Sequence, residues 1–141
     1  MTDRLLFDTC ALLPWCYQRL PDSLSAIDRP MVAAVSIQEL WAGVHRPLAQ
    51  KDSDVMEECR WQASLVTARA EVVPFGRYEA EIMARLRGPY IREARRDSRL
   101  FSDMMIAATG LANDLPIVTV NVDDFARLSD DLTIVALPAP H

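Results

Sequence analysis

An α/β/α sandwich around a central parallel sheet is the fold class this sequence predicts, and three observations carry the prediction. Short apolar runs alternate with stretches of helical period along the chain. The runs are continuously apolar rather than alternating, as strands covered on both faces must be. Each run stops at a polar or breaking residue and is followed by a helical pattern, the order expected of strand and crossover-helix units.

Leu5-Leu6-Phe7 reads as a buried strand ending at Asp8-Thr9, with Ala11, Leu12, Leu13 and Trp15 marking a helix after it. Met31 to Val35 is a second strand that stops at Ser36; Ile37, Leu40, Trp41 and Val44 then recur at helical spacing. Val55, Cys59, Ala63, Val66 and Ala70 continue that period, and Val72-Val73 before Pro74 is a brief third strand. Tyr78, Ile82 and Leu86 mark a helix that Gly88-Pro89 breaks or kinks. Beyond an arginine-rich segment, Ser102-Asp103 opens an apolar helix through Met104, Ala107, Ala108 and Leu111, which Asn113-Asp114 and Pro116 end. Ile117 to Val120 is a β-rich run closed by Asn121, and Leu132 to Leu137 is the last candidate strand, before Pro138 and Pro140.

A chain of 141 residues, half of them hydrophobic and a quarter charged, predicts one domain over residues 1–141 with its own core. The net charge of -5 disfavours holding nucleic acid by bulk electrostatics, so any such binding has to be local. Every basic residue but Lys51 is arginine, and Arg85, Arg87, Arg92, Arg95, Arg96 and Arg99 fall close together, either to steer phosphates or as a solvated helix face. No apolar run reaches the ~18 to 20 residues of a membrane span, and the short N-terminal one carries Asp8, so neither export nor membrane anchoring is expected. Cys10, Cys16 and Cys59 form no CxxC pair, which fits a reducing cytoplasm. With only His45 and His141, chemistry falls to carboxylates.

In a parallel sheet, ligands bind outside the carboxyl ends of the strands. Asp8 stands directly after the first strand, Glu39 in the first turn after the second, Asp103 at a helix start and Asp124 after the Ile117 run. Converging carboxylates repel one another, and a site of this composition is stable at neutral pH mainly around a divalent cation. Oxygen ligands point to Mg²⁺ or Mn²⁺, for which a phosphodiester is the natural substrate.

These residues resemble the PIN-domain ribonucleases, in particular the VapC-type toxins of bacterial toxin–antitoxin pairs. The likeness spans nearly the whole chain and rests on LLFDTCALL with Asp8 and Thr9, VSIQELWAGV with Glu39, and SDMMIAATGLANDLPIVTVNVDDFARL with Asp103, Thr119, Asn121 and Asp124. It implies a compact PIN-like α/β/α fold and Mg²⁺-dependent endonucleolytic cleavage of RNA by a metal-activated water, leaving a 5′-phosphate. It also implies a homodimer and neutralisation by a cognate VapB-type antitoxin. Carried over by position, Asp8 and Asp103 match the central metal-binding aspartates, Glu39 the glutamate, and Asp124 the acid three residues beyond Asn121; Thr9, Thr119 and Asn121 are supporting polar residues. Two positions depart from the pattern. Cys10 stands where asparagine is commonest, and Val120 where a polar or basic residue is frequent.

Each acid also has an ordinary structural explanation. Ser36-Ile37-Gln38-Glu39 is a capping-box pattern, and Asp103 and Asp124 near helix starts would interact well with the helix dipole. Asp8 resists such a reading, because a carboxylate after an apolar strand is poorly solvated unless paired. Trp15, Trp41, Trp61 and Met104-Met105 fit a partner groove or, at helical spacing, the core. Cys10 reads as a small buried filler and His45 as a surface residue after its helix. A phosphorylated receiver domain would need a lysine beyond a late strand, and the only lysine is Lys51; an aspartyl phosphatase would need a second aspartate two residues after Asp8, where Cys10 stands. The remaining alternative is a catalytically inactive PIN-like module that binds RNA or protein.

Overall fold

The computed structural model describes residues 4–139; Pro140 and His141, noted above, lie outside them. Five short parallel strands form one sheet in the order β3-β2-β1-β4-β5: β1 (Leu6–Phe7), β2 (Met31–Ala33), β3 (Glu71–Val73), β4 (Ile117–Thr119) and β5 (Ile134–Ala136). All four pairings are parallel.

The register explains why the strands read as continuous apolar runs. Leu6 pairs with Met31 and Ile117, and all three side chains enter one core with Met83, Leu100, Met104 and Phe125. Phe7 pairs with Val32 and Val118, and these enter the opposite core with Leu12, Trp15 and Val66. Successive strand residues point to opposite faces, so a sheet with helices on both sides has no position left for polar alternation. Burying each such side chain contributes about 1.5–3 kcal/mol.

Among the described residues, eight α-helices connect and cover the strands: α1 (Thr9–Cys16), α2 (Ala34–His45), α3 (Pro47–Lys51), α4 (Ser53–Arg69), α5 (Arg77–Arg87), α6 (Ile91–Arg96), α7 (Ser98–Ala112) and α8 (Val122–Ala126). Gly88-Pro89 does break the helix, as a single tight turn between α5 and α6. Among the described residues no helix is long and apolar enough to cross a membrane. Trp15 and Met104 are core; Trp41 donates to the Thr67 hydroxyl (2.9 Å), and Trp61 is exposed against Tyr17 with ring centroids 5.3 Å apart.

Two helix starts differ from the sequence reading. α2 begins at Ala34, directly after β2, so Ser36 is its third residue and Glu39 its sixth; no side chain caps it and the capping box is not formed. α7 begins at Ser98 with Asp97 as its cap, accepting from the Arg99 and Leu100 amides, which puts Asp103 in the second turn rather than at the start. The dipole and capping explanations for Glu39 and Asp103 are thereby removed, since those effects act within the first turn.

Candidate active site

The chain runs from β1 outward to β2 and β3 and then returns to the other side of β1 with β4. β1 and β4 thus flank the point where strand order reverses, and the crevice beyond their carboxyl ends is where doubly wound sheets bind ligands. Asp8 and Thr119 stand there side by side. The backbone fixes the pair: the Asp8 amide donates to the Val118 carbonyl at 2.9 Å.

Asp8 is buried, at 4% exposure, and its carboxylate is held from three directions. Oδ1 accepts from the Thr9 amide (2.7 Å), while Oδ2 accepts from the Thr119 hydroxyl (2.8 Å) and the Cys10 thiol (3.0 Å). The Thr119 hydroxyl in turn accepts from the Asn121 amide at 2.9 Å, tying the β4–α8 turn to Asp8. A carboxylate desolvated this far needs such donors to remain in place. Cys10 is therefore no passive filler. Burial and the adjacent Asp8 charge push its thiol up to about 11, which keeps it a proton donor to Asp8.

Glu39 reaches the same crevice from α2, where the Thr9 hydroxyl donates to its Oε1 at 2.8 Å and also lies 2.9 Å from the hydroxyl of the fully buried Ser36. Burial raises the Glu39 pKa, with the Asp8 charge adding to the rise; the Thr9 hydrogen bond, Arg46 and Arg99 oppose it. Thr9→Val would strip Glu39 and Ser36 of that partner. We expect a loss of about 1–2 kcal/mol in urea unfolding and a further rise of the Glu39 pKa in a carboxylate NMR titration.

Asp103 projects from α7 into the cleft. Burial first, then the charges of Asp8 and Asp124, then Glu39, push its pKa up to about 7, against the opposing Arg99. One cleft of about 590 Å³ is lined by Asp8, Thr9, Glu39, Asp103 and Asn121. Asp124 does not line it, but sits on the adjoining shallow depression that shares Asn121. Its charge still acts on Asp103.

The four acids thus share an electrostatic field, although among the described residues no three carboxylate, thiol or imidazole groups are already drawn together as one ligand cage. Mutual repulsion favours that spacing. The donor chemistry fits a hard divalent cation: the anionic groups are carboxylates, the supporting ones hydroxyls and an amide, and Asp103 is raised by burial and then by the neighbouring negative charges that Arg99 only partly offsets. Two thiols, Cys10 and Cys59, also line the cleft, and the Cys10 hydrogen is committed to Asp8.

The sequence reading missed Ser36, Arg46 and Gln62. Ser36 and Arg46 had a signal, standing three residues before and seven after Glu39 on one helical face. The arginine-rich segment does not form one patch: Arg99 lines this cleft, whereas Arg85 lines a cavity with Pro116 and Thr133, at the amino ends of β4 and β5.

Known proteins share this fold. The chain is 28% identical over 114 residues to a ribonuclease VapC of Rickettsia bellii (strain RML369-C), covering 81% of each chain. Its fold superposes on a structure of the VapBC-5 toxin–antitoxin system of Mycobacterium tuberculosis with a TM-score of 0.69 at 27% identity, covering 96% of this chain and 98% of that one. A DNA-bound VapBC structure from Salmonella typhimurium gives a TM-score of 0.71 at 20% identity, covering 94% and 97%, a likeness of fold alone. The family model of the PIN domain matches residues 5–131, and the chain belongs to the PIN-domain family.

Proposed function

We propose that this protein is a divalent-metal-dependent endoribonuclease, a VapC-type toxin that a VapB-type antitoxin neutralises, acting as a single-domain protomer of a homodimer. The observation that carries the reading is the meeting of Asp8, Glu39 and Asp103 in one cleft at the β1–β4 switch point, with the Asp124 charge felt at Asp103. The similarity to a ribonuclease VapC and to a toxin–antitoxin structure supports the substrate class and the partner.

Asp8, Glu39, Asp103 and Asp124 would hold Mg²⁺ or Mn²⁺. When bound, such an ion supplies Lewis acidity toward the scissile phosphate and makes water more acidic. The chain's own residues do the positioning. Thr9, Thr119 and Cys10 fix the Asp8 carboxylate, so its orientation costs nothing when substrate arrives. Thr9 also orients Glu39, and Asn121 braces the turn that leads to Asp124. Asp103 accepts no such bond among the described residues, and burial and neighbouring carboxylates raise its pKa, so a bound cation would stabilise its charged form.

The test is incubation of the purified chain with structured and unstructured RNA. Cleavage in Mg²⁺ or Mn²⁺ that EDTA abolishes is expected. RNA binding with no cleavage in any divalent ion would overturn the nuclease and leave a binding module.

A further inference from the structure

We infer that Arg46 and Arg99 form a pair of phosphate-binding side chains on the rim of the acidic cleft, which engage the RNA backbone beside the scissile bond. The inference rests on the nuclease reading and adds to it the residues that let a protein of net charge -5 hold a polyanion next to four carboxylates.

Both arginines line the cleft with Asp8, Glu39 and Asp103. They reach it from different elements: Arg46 is the hinge residue between α2 and α3, and Arg99 lies in the first turn of α7. Each follows helical spacing from an acid of the site, Arg46 seven residues after Glu39 and Arg99 four before Asp103. Both are exposed.

Neither closes an ion pair, even with the carboxylates so near. Among the described residues, the arginine–carboxylate pairs are Arg69 with Asp28, Arg77 with Glu81, and Arg127 with Glu93. Arg46 and Arg99 nevertheless act on the site, since both oppose the upward shift of Glu39 and Arg99 opposes that of Asp103. The α7 helix end is not the anion site in their place, because Asp97 already takes the amides of Arg99 and Leu100. What remains available to an anion is two guanidinium groups, each with planar donors matched to phosphate oxygens.

The experiment measures binding of fluorescein-labelled single-stranded RNA by anisotropy in EDTA, across a salt series, for the full chain and for Arg46→Ala, Arg99→Ala and the double variant. Each lost phosphate contact should lower the slope of log K against log salt by ~0.7 and weaken binding about 5-fold at 0.1 M salt, and the double variant should lose about 25-fold. Arg→Lys variants should keep most of the slope, and Arg85→Ala, in the cavity at the amino ends of β4 and β5, should keep all of it. In Mg²⁺ the alanine variants should raise KM more than they lower kcat. Variants with the parent's circular dichroism, affinity and salt slope would overturn the proposal, including where kcat alone falls, because the arginines would then serve only to tune the acids. A parent chain that neither binds nor cleaves RNA would overturn the nuclease reading itself.

Discussion

Asp8→Asn is expected to lower RNA cleavage by a factor on the order of 10²–10³, the loss typical of removing one preorganised electrostatic group from an active site, while the far-UV circular dichroism spectrum is unchanged. That factor corresponds to about 3–4 kcal/mol in the barrier. The substitution keeps the shape of the side chain but removes the charge that raises both Glu39 and Asp103. It also puts an NH₂ group where an oxygen accepted hydrogen bonds. If that group faces Thr119 and Cys10, their hydroxyl and thiol must rotate away; if it faces the Thr9 amide, two donors oppose. A modest stability loss from this conflict is offset by relief of carboxylate repulsion. A second readout separates charge from architecture: in a carboxylate NMR titration of the variant, Asp103 and Glu39 should titrate lower than in the parent. Full cleavage by Asp8→Asn would remove Asp8 from the reaction and, with it, the crevice as its location.

The acids of this site were legible because an open parallel sheet exposes the carboxyl ends of its strands, and a charge directly after an apolar run such as Leu6-Phe7 has few structural uses. The helix starts were not. Ser36 and Glu39 have the spacing of a capping box, but α2 propagates straight out of β2, and the Ser36 hydroxyl is engaged by Thr9 from another helix. The arginines before Ser102 obscured the fact that Leu100 belongs to the same apolar stripe as Met104, Ala107, Ala108 and Leu111, one turn earlier. α3 was invisible because its five residues, Pro-Leu-Ala-Gln-Lys, are too few to show a period. The part played by Cys10 depends on β1 and β4 being neighbours: its partner hydroxyl on Asp8 belongs to Thr119, 111 positions beyond Asp8. No local pattern encodes such a meeting. Only the sheet order does.

Asp103→Asn is expected to stabilise the metal-free protein at pH 8 even as it impairs cleavage, which is the behaviour of a residue kept for chemistry at the expense of stability. The folded pKa of Asp103 is raised from 3.8 to about 7. Below about pH 4 the carboxyl is protonated in both the folded and unfolded chain and contributes no pH-dependent difference. Between pH 4 and 7 the folded protein keeps a proton that the unfolded chain releases, so stability falls as pH rises, and above 7 the full repulsion is present. Asp103 is only part-buried, and water screens it, so the cost at pH 8 is about 1–2 kcal/mol, well under the full linkage value. Asparagine does not titrate. In EDTA the variant should therefore melt ~3–6 °C above the parent at pH 8, with the gap closing as pH is lowered toward 4. Saturating Mg²⁺ should raise the parent's Tm by binding the folded state, and the variant's by much less. A variant less stable than the parent at every pH would show instead that the Asp103 carboxylate holds α7 in place, and the charge cluster would lose its claim to be a metal site.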